Sequence, residues 1–511
     1  MSAGQTPPGS ADYGNLYELL QTRFPAERMR AFIELEDGRT YSYGDLEDTS
    51  GRYARLLGDL GVAKGDRVAV QVEKSPEAIF LYLACLRAGA IYLPLNPAYT
   101  KAEIAYFLGD AEPKVAVCRP ETEAEISEVA GVARVLTLDQ NDGGSLPARA
   151  RDLAPIEGCV AADADDVAAF LYTSGTTGRS KGAMLTHRNL GSNALALHQA
   201  WGFGPDDVLL HALPLFHTHG LFVATHCVLL NGTAMLFLPK FDAEAVIRLL
   251  PRTRVMMGVP TFYTRLLAQP GFTKAVCRNV RLFISGSAPL LEETFHAFKA
   301  RTGHTILERY GMTETGMNTS NPLDGERIAG TVGFPLPGVE VRVCDDAGHP
   351  LATDEIGVLE VRGPNVFTGY WRMPEKTAAE IRPDGFFITG DVSKIDARGY
   401  VHIVGRAKDL IICGGFNVYP KEVELCIDRI DGVVESAVIG VPHPDFGEAV
   451  VAVVKRAPRR DDLTAESVIA ACKAELANFK VPKQAHFVDD LPRNAMGKVQ
   501  KNELRERYTG K

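Results

Sequence analysis

The strongest constraint on the fold is an alternation of strand-like and helix-like segments through the first 390 or so residues. Residues 67–72, 114–118, 167–172 and 280–285 are short apolar runs typical of strands, and residues 76–90 are a longer apolar run typical of a buried helix. Strands that are separated by helices pair mostly in parallel, because each connection must cross over the sheet. The pattern therefore predicts the α/β class, with helices flanking mixed or parallel sheets.

The chain is long enough for more than one domain. Its 511 residues exceed the size at which a single hydrophobic core usually stops growing. After about Asp391 the sequence changes to short, turn-rich pieces, followed by a strand-like run at 433–441 and a helix-like run at 465–478. We therefore predict a boundary between Asp391 and Lys408. The expected units are a flexible tail (1–14), a large N-terminal domain (15–407) and a small α+β C-terminal domain (408–511).

The composition and net charge of the chain limit its expected binding partners and its expected cellular compartment. Lysine and arginine number 55 against 64 acidic residues, a net charge of −9, which argues against general nucleic-acid binding because that needs a basic surface. The nine scattered cysteines predict neither a disulfide framework nor a zinc site, and a reducing cytoplasm fits best. The uncharged stretch 220–239 has the length of a membrane span. Because Asn231-Gly232 is a strong turn signal, we expect a buried helix, a turn and a buried strand there, and no membrane association.

A segment rich in glycine and hydroxyl groups occupies 173–182 (TSGTTGRSKG) and follows an apolar strand at 168–172. Its glycines let the backbone approach an oxyanion closely, and its hydroxyl and N–H groups can donate to phosphate oxygens. It is not a Walker A loop, because Ser180 and Gly182 flank its lysine. By composition alone, a flexible surface loop is an equally good interpretation. The predicted phosphate-binding residues are Thr173, Ser174, Gly175, Thr176, Thr177, Gly178 and Lys181.

Four further motifs follow this loop in order along the chain. They are YGMTE at 310–314, TGD at 389–391, GRxKD at 405–409 and PRNxxGK at 492–498. Together the five motifs resemble those of the adenylate-forming superfamily, which contains acyl-CoA synthetases, luciferases and the adenylation domains of peptide synthetases. The resemblance runs from about residue 40 to the C-terminus and implies that ATP is a substrate.

The reaction of that superfamily has two halves. A carboxylate attacks the α-phosphate of ATP to give an acyl-adenylate and pyrophosphate, and a thiol then displaces AMP. Because the carboxylate is already ionised at neutral pH, the first half needs charge neutralisation and no general base. The resemblance makes Lys498 the lysine that reaches the carboxylate and the α-phosphate, Glu314 the ligand of Mg²⁺ and Thr313 a phosphate hydroxyl.

The resemblance also implies the rest of the nucleotide site and a hinge. Asp391 is expected to accept the ribose hydroxyls, Arg406 to lie near the ribose and phosphates, and Tyr310 to stack on adenine. Lys408 occupies the hinge position, which would make the C-terminal domain mobile. The other expected nucleotide contacts are Gly286, Ser287, Ala288, Glu308, Arg309, Gly311 and Met312. The expected tunnel for the pantetheine arm is formed by Gly414, Gly415 and Phe416.

The acyl substrate is predicted from a closer resemblance. Segments 211–221, 257–263, 281–290, 307–314 and 363–371 look most similar to malonyl-CoA synthetases, and free coenzyme A is the expected thiol because no carrier domain is expected after residue 498. The expected function is ATP-dependent ligation of malonate to coenzyme A. Three alternatives stay open: another small acid such as methylmalonate, a short- or medium-chain acid or an aryl acid; loading of a separate carrier protein; and a non-catalytic nucleotide-binding protein.

A dicarboxylate needs a partner for its second carboxylate, because an unpaired buried charge is costly. Arg281 is the first choice, since a guanidinium can bind a carboxylate through two hydrogen bonds. A purely structural role for this arginine is equally open. His217 and His219 are expected to shape the acyl pocket, and Met312 is expected to border it. The sequence contains no signal for the oligomeric state.

Overall fold

The alternation of strands and helices is present in the folded chain. A computed structural model describes residues 13–173, 180–413, 416–443, 447–494 and 497–509. Within these ranges two large sheets with flanking helices are followed by a smaller set of strands and helices, which confirms the predicted α/β class.

The described residues form 25 strands in four sheets. The strands are β1 (Ala31–Leu35), β2 (Thr40–Ser42), β3 (Arg67–Gln71), β4 (Ile91–Pro94), β5 (Val115–Cys118), β6 (Arg134–Thr137), β7 (Val167–Thr173), β8 (Lys181–Thr186), β9 (Leu209–His211), β10 (Met235–Phe237), β11 (Val255–Gly258), β12 (Leu282–Ser285), β13 (Leu307–Met312), β14 (Gly316–Ser320), β15 (Phe334–Pro335), β16 (Glu340–Cys344), β17 (Gly357–Arg362), β18 (Gly369–Tyr370), β19 (Phe387–Ile395), β20 (Val401–Arg406), β21 (Ile411–Cys413), β22 (Phe416–Val418), β23 (Val433–His443), β24 (Gly447–Arg456) and β25 (Gln484–Val488).

Helices connect these strands. The α-helices are α1 (Leu16–Gln21), α2 (Tyr43–Asp59), α3 (Pro76–Ala88), α4 (Lys101–Ala111), α5 (Glu123–Val129), α6 (Ser145–Ala150), α7 (His187–Ala200), α8 (Thr225–Asn231), α9 (Ala243–Leu249), α10 (Pro260–Leu267), α11 (Glu292–Thr302), α12 (Pro374–Glu380), α13 (Pro420–Ile427), α14 (Ala465–Glu475) and α15 (Lys501–Tyr508). Short 3₁₀ turns lie at Pro120–Thr122, Leu250–Arg252 and Ala407–Asp409, and a π-helix lies at His219–Ala224.

The nine-stranded sheet has the order β15-β14-β13-β12-β11-β9-β10-β1-β2. The six strands from β13 to β1 run parallel, and β2, β14 and β15 join antiparallel at the two edges. Ligands of parallel sheets bind beyond the carboxyl ends of the strands. In this sheet His211, Ser285 and Met312 mark those ends.

The seven-stranded sheet has the order β18-β8-β7-β4-β3-β5-β6, with five parallel strands from β7 to β6. The other two strands, β8 and β18, are antiparallel. The sequence analysis predicts β7 but not β8. In the folded chain β7 pairs with β8 before α7 begins, so the predicted phosphate loop connects two antiparallel strands. The glycine and lysine that open β8 had been counted only as part of the loop.

The two smaller sheets follow in the chain. An antiparallel sheet β16-β17-β19-β20 ends at Arg406, and a five-stranded sheet, in which β24 pairs with β21, β23 and β25, begins at Ile411. The predicted strand at 433–441 lies in β23, and the predicted helix at 465–478 corresponds to α14.

Helix α3 shows how the sequence positions the core. Ser75 caps its N-terminus by accepting the Ala78 N–H, Pro76 occupies the first helical position, and Gly89 ends it with φ of 69°. All twelve residues from Pro76 to Arg87 are buried, as expected for a helix that is apolar on every side.

The uncharged stretch 220–239 folds as predicted, with α8 ending at Asn231, a turn at Gly232 (φ 64°) and the buried strand β10. Among the described residues, no helix is both long and apolar enough to cross a bilayer.

Candidate active site

The phosphate loop predicted at 174–179 lies outside the described residues, but both strands that hold it are described. Thr173 ends β7 and Lys181 begins β8, and they are direct partners in the antiparallel pair. Lys181 is buried, with its Nζ 3.6 Å from a carboxylate oxygen of Glu380 and 4.1 Å from the ring centre of Tyr370. The hairpin therefore holds a fixed cation at the base of the loop.

The turn between β13 and β14 carries Thr313 and Glu314 to the same place. The Glu314 carboxylate is buried, and its Oε1 accepts hydrogen bonds from the hydroxyls of Thr173 at 3.4 Å and Tyr370 at 3.1 Å. Burial raises the pKa of Glu314, and the charge of Lys181 opposes this shift. A single buried carboxylate beside a phosphate loop suits Mg²⁺, which takes its remaining ligands from phosphate oxygens and water.

A second carboxylate, Asp391, lies on β19 directly opposite Arg406 on β20. The Arg406 Nε is 2.6 Å from its Oδ1, and the Tyr310 hydroxyl donates to its Oδ2 at 2.5 Å. The Thr389 hydroxyl accepts the Asp391 N–H at 3.0 Å. Three residues predicted to contact the nucleotide are thus joined in one hydrogen-bonded cluster, with the carboxylate buried and held ready to accept.

Arg309, on β13, is a buried cation that makes no direct ion pair among the described residues, although the neighbouring Glu308 carboxylate acts on it at longer range. The Arg309 side chain packs against Gly286, where a Cβ would lie 2.4 Å from the Arg309 Cζ, so any side chain at position 286 would displace the guanidinium. Its Nε and Nη2 have no hydrogen-bond partner among the described residues, and no described carboxylate lies within ion-pair distance. Burial lowers the pKa of Arg309 to about 9. A buried, unpaired guanidinium is destabilising unless an anion binds to it.

Two histidines and a serine lie beside this arginine. The backbone N–H of His219 donates to His217 Nδ1 at 3.3 Å, and the Ser287 hydroxyl lies 3.2 Å from His219 Nδ1. Burial and then the charge of Arg309 lower the pKa of His217 to about 4 and that of His219 well below its usual value, so both rings are neutral at pH 7. The His219 Nε2 is buried and has no partner among the described residues. When the serine hydroxyl donates to Nδ1, this Nε2 carries the proton and can donate to a ligand.

The predicted role of Arg281 does not agree with its position. Its Nε and Nη2 form a two-point ion pair with Asp207 at 2.7 and 2.5 Å, and its other donors reach the carbonyls of Trp201 and Gly202. Arg281 precedes β12, whereas Gly286 follows it, so the two lie at opposite ends of the strand. Four of the five N–H donors of the guanidinium are therefore engaged, at the opposite end of β12 from Gly286 and Arg309. The sequence analysis places Arg309 only with the nucleotide, but its guanidinium, unlike that of Arg281, has buried N–H donors without a partner among the described residues.

Lys498 reaches this cleft from the C-terminal region. Burial, and then the charge of Arg406, lower the pKa of Lys498 to about 8, although its side chain keeps contact with solvent along the open cleft. Its charge in turn contributes to lowering the pKa of His217. The preceding Gly497 has φ of 73°, and a Cβ there would lie 3.1 Å from the side chain of Thr261 on α10. The backbone next to Lys498 therefore lies close to α10.

The predicted hinge and thiol segments are described in part. Lys408 lies in the 3₁₀ turn at Ala407–Asp409, and its neighbour Asp409 pairs with Arg505 at 2.6 Å. Phe416 is 57% exposed and stacks on Phe479 at 4.7 Å. Gly414 and Gly415 lie outside the described residues.

Three further residues from the sequence prediction, Glu308, Gly311 and Met312, lie on β13 with Arg309. Glu308 is buried, its pKa is raised to about 8 by burial, and its Oε1 accepts the Leu290 N–H at 2.9 Å, which fixes the turn that contains Ala288. A Cβ on Gly311 would lie 2.1 Å from the Gly316 carbonyl, so β13 and β14 approach closely there. Met312, at the end of β13, is half-buried, as expected for a residue that borders a pocket.

Comparison with known proteins gives matches over nearly the whole chain. A family model described as AMP-binding enzyme matches residues 21–371, and one described as AMP-binding enzyme C-terminal domain matches residues 422–498. A malonate–CoA ligase from Arabidopsis thaliana is 33% identical, with 97% of this chain and 90% of that protein covered. A feruloyl-CoA synthase from Amycolatopsis is 36% identical, with 92% of this chain and 94% of that protein covered.

The solved structures include a similar protein in two states. The crystal structure of ATP-bound MatB from Rhodopseudomonas palustris is 56% identical and superimposes with a TM-score of 0.95, covering 97% of this chain and 99% of that one. The apo structure of the same protein, at the same coverage, gives a TM-score of 0.84. The arrangement described above therefore agrees better with the ATP-bound form.

Proposed function

The chain belongs to the AMP-binding enzyme family, and from that premise we propose that it is a malonate–CoA ligase that forms malonyl-CoA, AMP and pyrophosphate through a malonyl-adenylate. ATP and coenzyme A are its substrates. Family membership fixes the reaction class, but relatives of similar identity carry the names of ligases for different acids. The choice of acid is therefore argued from the pocket.

The unpaired guanidinium of Arg309 is the observation that carries the choice of malonate. Its two buried donors without partners, next to the free Nε2 of His219, form a site for an anionic group. A dicarboxylate can place one carboxylate here while the other faces the α-phosphate. Two N–H donors match the two oxygens of a carboxylate.

The same charge disfavours a monocarboxylate. Acetate leaves Arg309 without a partner and so leaves its desolvation uncompensated. A polar site that its ligand does not satisfy discriminates by about 10⁴-fold. An aryl or fatty acid would bring apolar surface against the same buried charge, which is less favourable still.

The first half-reaction depends on charge, and the described residues supply it. We assign Lys498 the role of placing a positive charge beside the reacting carboxylate and the α-phosphate, and Asp391 the role of accepting the ribose hydroxyls. Among the described residues, no group of three or more His, Cys, Asp or Glu side chains could hold a metal ion. Glu314 would therefore hold Mg²⁺ together with phosphate oxygens, and the bound ion would neutralise phosphate charge.

The second half-reaction needs a different group in the cleft. We propose that the C-terminal segment turns about Lys408 and replaces Lys498 with the loop that precedes Phe416. The better agreement with the ATP-bound relative than with its apo form supports the view that the present arrangement serves adenylation.

The test is pyrophosphate release by the purified protein with ATP, Mg²⁺ and coenzyme A across malonate, methylmalonate, succinate, acetate, butyrate and benzoate. The proposal predicts malonate as the preferred acid, by orders of magnitude over acetate, and malonyl-CoA as the product. A preference for a monocarboxylate would refute the role of Arg309. If pyrophosphate release needed a phosphopantetheinyl carrier protein in place of coenzyme A, the alternative of carrier loading would be correct.

A further inference from the structure

A cavity of about 590 Å³ lies between the carboxyl ends of the two large sheets. It is bordered by the segments that follow β3, β4, β9 and β10, which is where parallel sheets place ligands. Its wall includes the segment up to Phe216, the residue before His217 of the acyl site. Lys240 and Arg265 are exposed at the rim of the cavity, whereas Val70 and Tyr92 are buried in its floor.

Lys74 is buried in the wall of this cavity. Its Nζ lies 2.9 Å from His211 Nδ1, 2.8 Å from the His211 carbonyl oxygen and 4.1 Å from the ring centre of Phe237. No carboxylate of the described residues lies within ion-pair distance of it. Burial lowers the pKa of Lys74 well below its usual value.

The neighbouring histidine defines the hydrogen bonds of this amine. His211 Nε2 lies 2.9 Å from the Gly220 carbonyl oxygen, which can only accept, so Nε2 carries the proton. Nδ1 is then an acceptor and takes one N–H of Lys74, while the His211 carbonyl takes a second. A neutral amine has two N–H groups, and with both engaged by His211 its lone pair is not used in these hydrogen bonds.

The charged side chains around the cavity indicate which kind of electrophile can bind there. Glu73 is the one carboxylate in the described lining, and it is paired with Arg119 at 3.2 Å. Lys240 and Arg265 at the rim have no carboxylate within ion-pair distance among the described residues. The cavity therefore favours an anionic ligand.

We propose that Lys74 is an acyl-acceptor site that takes a malonyl group from malonyl-CoA, an inference that rests on the proposed function for the identity of the acyl donor. The amine nitrogen attacks the thioester carbonyl, the carbon–nitrogen bond of an amide forms, and the carbon–sulfur bond breaks. Coenzyme A leaves as the thiol and takes up the proton that the amine loses. The free carboxylate of the attached malonyl group then faces the cations of Lys240 and Arg265.

Lys74 should react before other lysines. An exposed lysine at pH 7.5 is unprotonated in only about one molecule in 10³, whereas burial shifts Lys74 towards its neutral form by lowering its pKa. For the same approach to the thioester carbonyl, this difference favours reaction at Lys74 over an exposed lysine.

The experiment uses the full chain and malonyl-CoA prepared separately, without ATP or malonate. The protein is incubated with malonyl-CoA, and intact mass and peptide mapping follow the attachment over time. The expected result is one malonyl group, located on Lys74, which appears at least tenfold faster than on any exposed lysine. Acetyl-CoA, which lacks the second carboxylate, should label Lys74 more slowly. Labelling spread over exposed lysines with Lys74 unmodified would overturn the proposal.

Two variants sharpen the result. Lys74→Met should lose the fast adduct, and Lys240→Met should keep it at Lys74 but form it more slowly. Peptide mapping of the wild-type chain decides the matter even where Lys74→Met does not fold. Because malonyl-CoA is supplied directly, labelling of Lys74 without ligase activity would overturn only the proposed function. Ligase activity without labelling would overturn only the present proposal.

Discussion

Replacing Arg309 with methionine should abolish the preference for malonate without destabilising the free enzyme. The pKa of about 9, against an ordinary 12.5, corresponds to an unfavourable charging free energy of about 5 kcal/mol. A malonate carboxylate that pairs with the guanidinium recovers much of this energy. Removing a partner of a buried ion pair costs about 3–5 kcal/mol, a factor of about 10² to 10⁴ in kcat/KM. The free enzyme should be equally or more stable, because an uncompensated buried charge is replaced by an apolar side chain of similar length.

The assay is pyrophosphate release with malonate and with acetate, together with thermal unfolding of each variant. The matched control is Arg281→Met, which removes the arginine that precedes β12, the strand paired with β13. This change leaves the buried Asp207 carboxylate without its partner, so stability should fall while the ratio of kcat/KM for malonate to that for acetate stays unchanged.

The two variants are expected to separate the effect on substrate selectivity from the effect on stability. Arg309→Met should change selectivity and keep stability, and Arg281→Met should change stability and keep selectivity. An unchanged malonate-to-acetate ratio in Arg309→Met would refute the reasoning, as would a collapsed ratio in Arg281→Met.

Three further predictions concern neighbouring groups. Ser287→Ala removes the hydroxyl next to His219, so steady-state kinetics should show the KM for malonate rising up to about tenfold. Lys498 can neutralise phosphate charge only in its protonated form. The kcat/KM for adenylation should therefore fall as the pH rises through about 8, and Lys498→Arg should move this fall to higher pH. Gly497→Ala places a methyl group against Thr261, so adenylation should slow about tenfold or more while thiolation of supplied malonyl-adenylate continues, and Thr261→Ala in the same chain should restore part of the rate.

Much of the fold could be predicted from the sequence because local patterns determine it. The buried helix α3 carries its own start and stop signals at Ser75 and Gly89, and the turn at Asn231-Gly232 is specified by two residues. Strand β8 was missed because its first residues, Lys181 and Gly182, also fit the phosphate loop. The loop motif and the strand share these residues, and only the pairing with β7 separates them.

The acyl site was harder to predict, because whether a side chain can reach the ligand depends on the end of the strand at which it lies. Arg281 precedes β12 and Arg309 lies within the neighbouring strand β13, and the sequence alone does not show which of the two guanidinium groups is free. The partner of Arg281, Asp207, is 74 residues away, so the ion pair has no local signal. Conversely, the lack of any partner for Arg309 becomes visible only when the surrounding residues are assembled.

The same reasoning applies to the nucleotide site. The motifs placed Tyr310 and Asp391 with the nucleotide separately, but the hydrogen bond between them joins residues 81 positions apart. Tyr370 and Glu380, which hold Lys181, were not predicted as site residues at all. Tyr370 lies in the motif at 363–371, and that motif could have served as a signal for it.

The most direct test of the central claim is a crystal structure with a hydrolysis-resistant malonyl-adenylate analogue. The account predicts the distal carboxylate within hydrogen-bond distance of the Arg309 guanidinium and of His219 Nε2, with Lys498 at the phosphate-side linkage. A distal carboxylate held elsewhere, with Arg309 directed at the phosphate-side linkage instead, would contradict it.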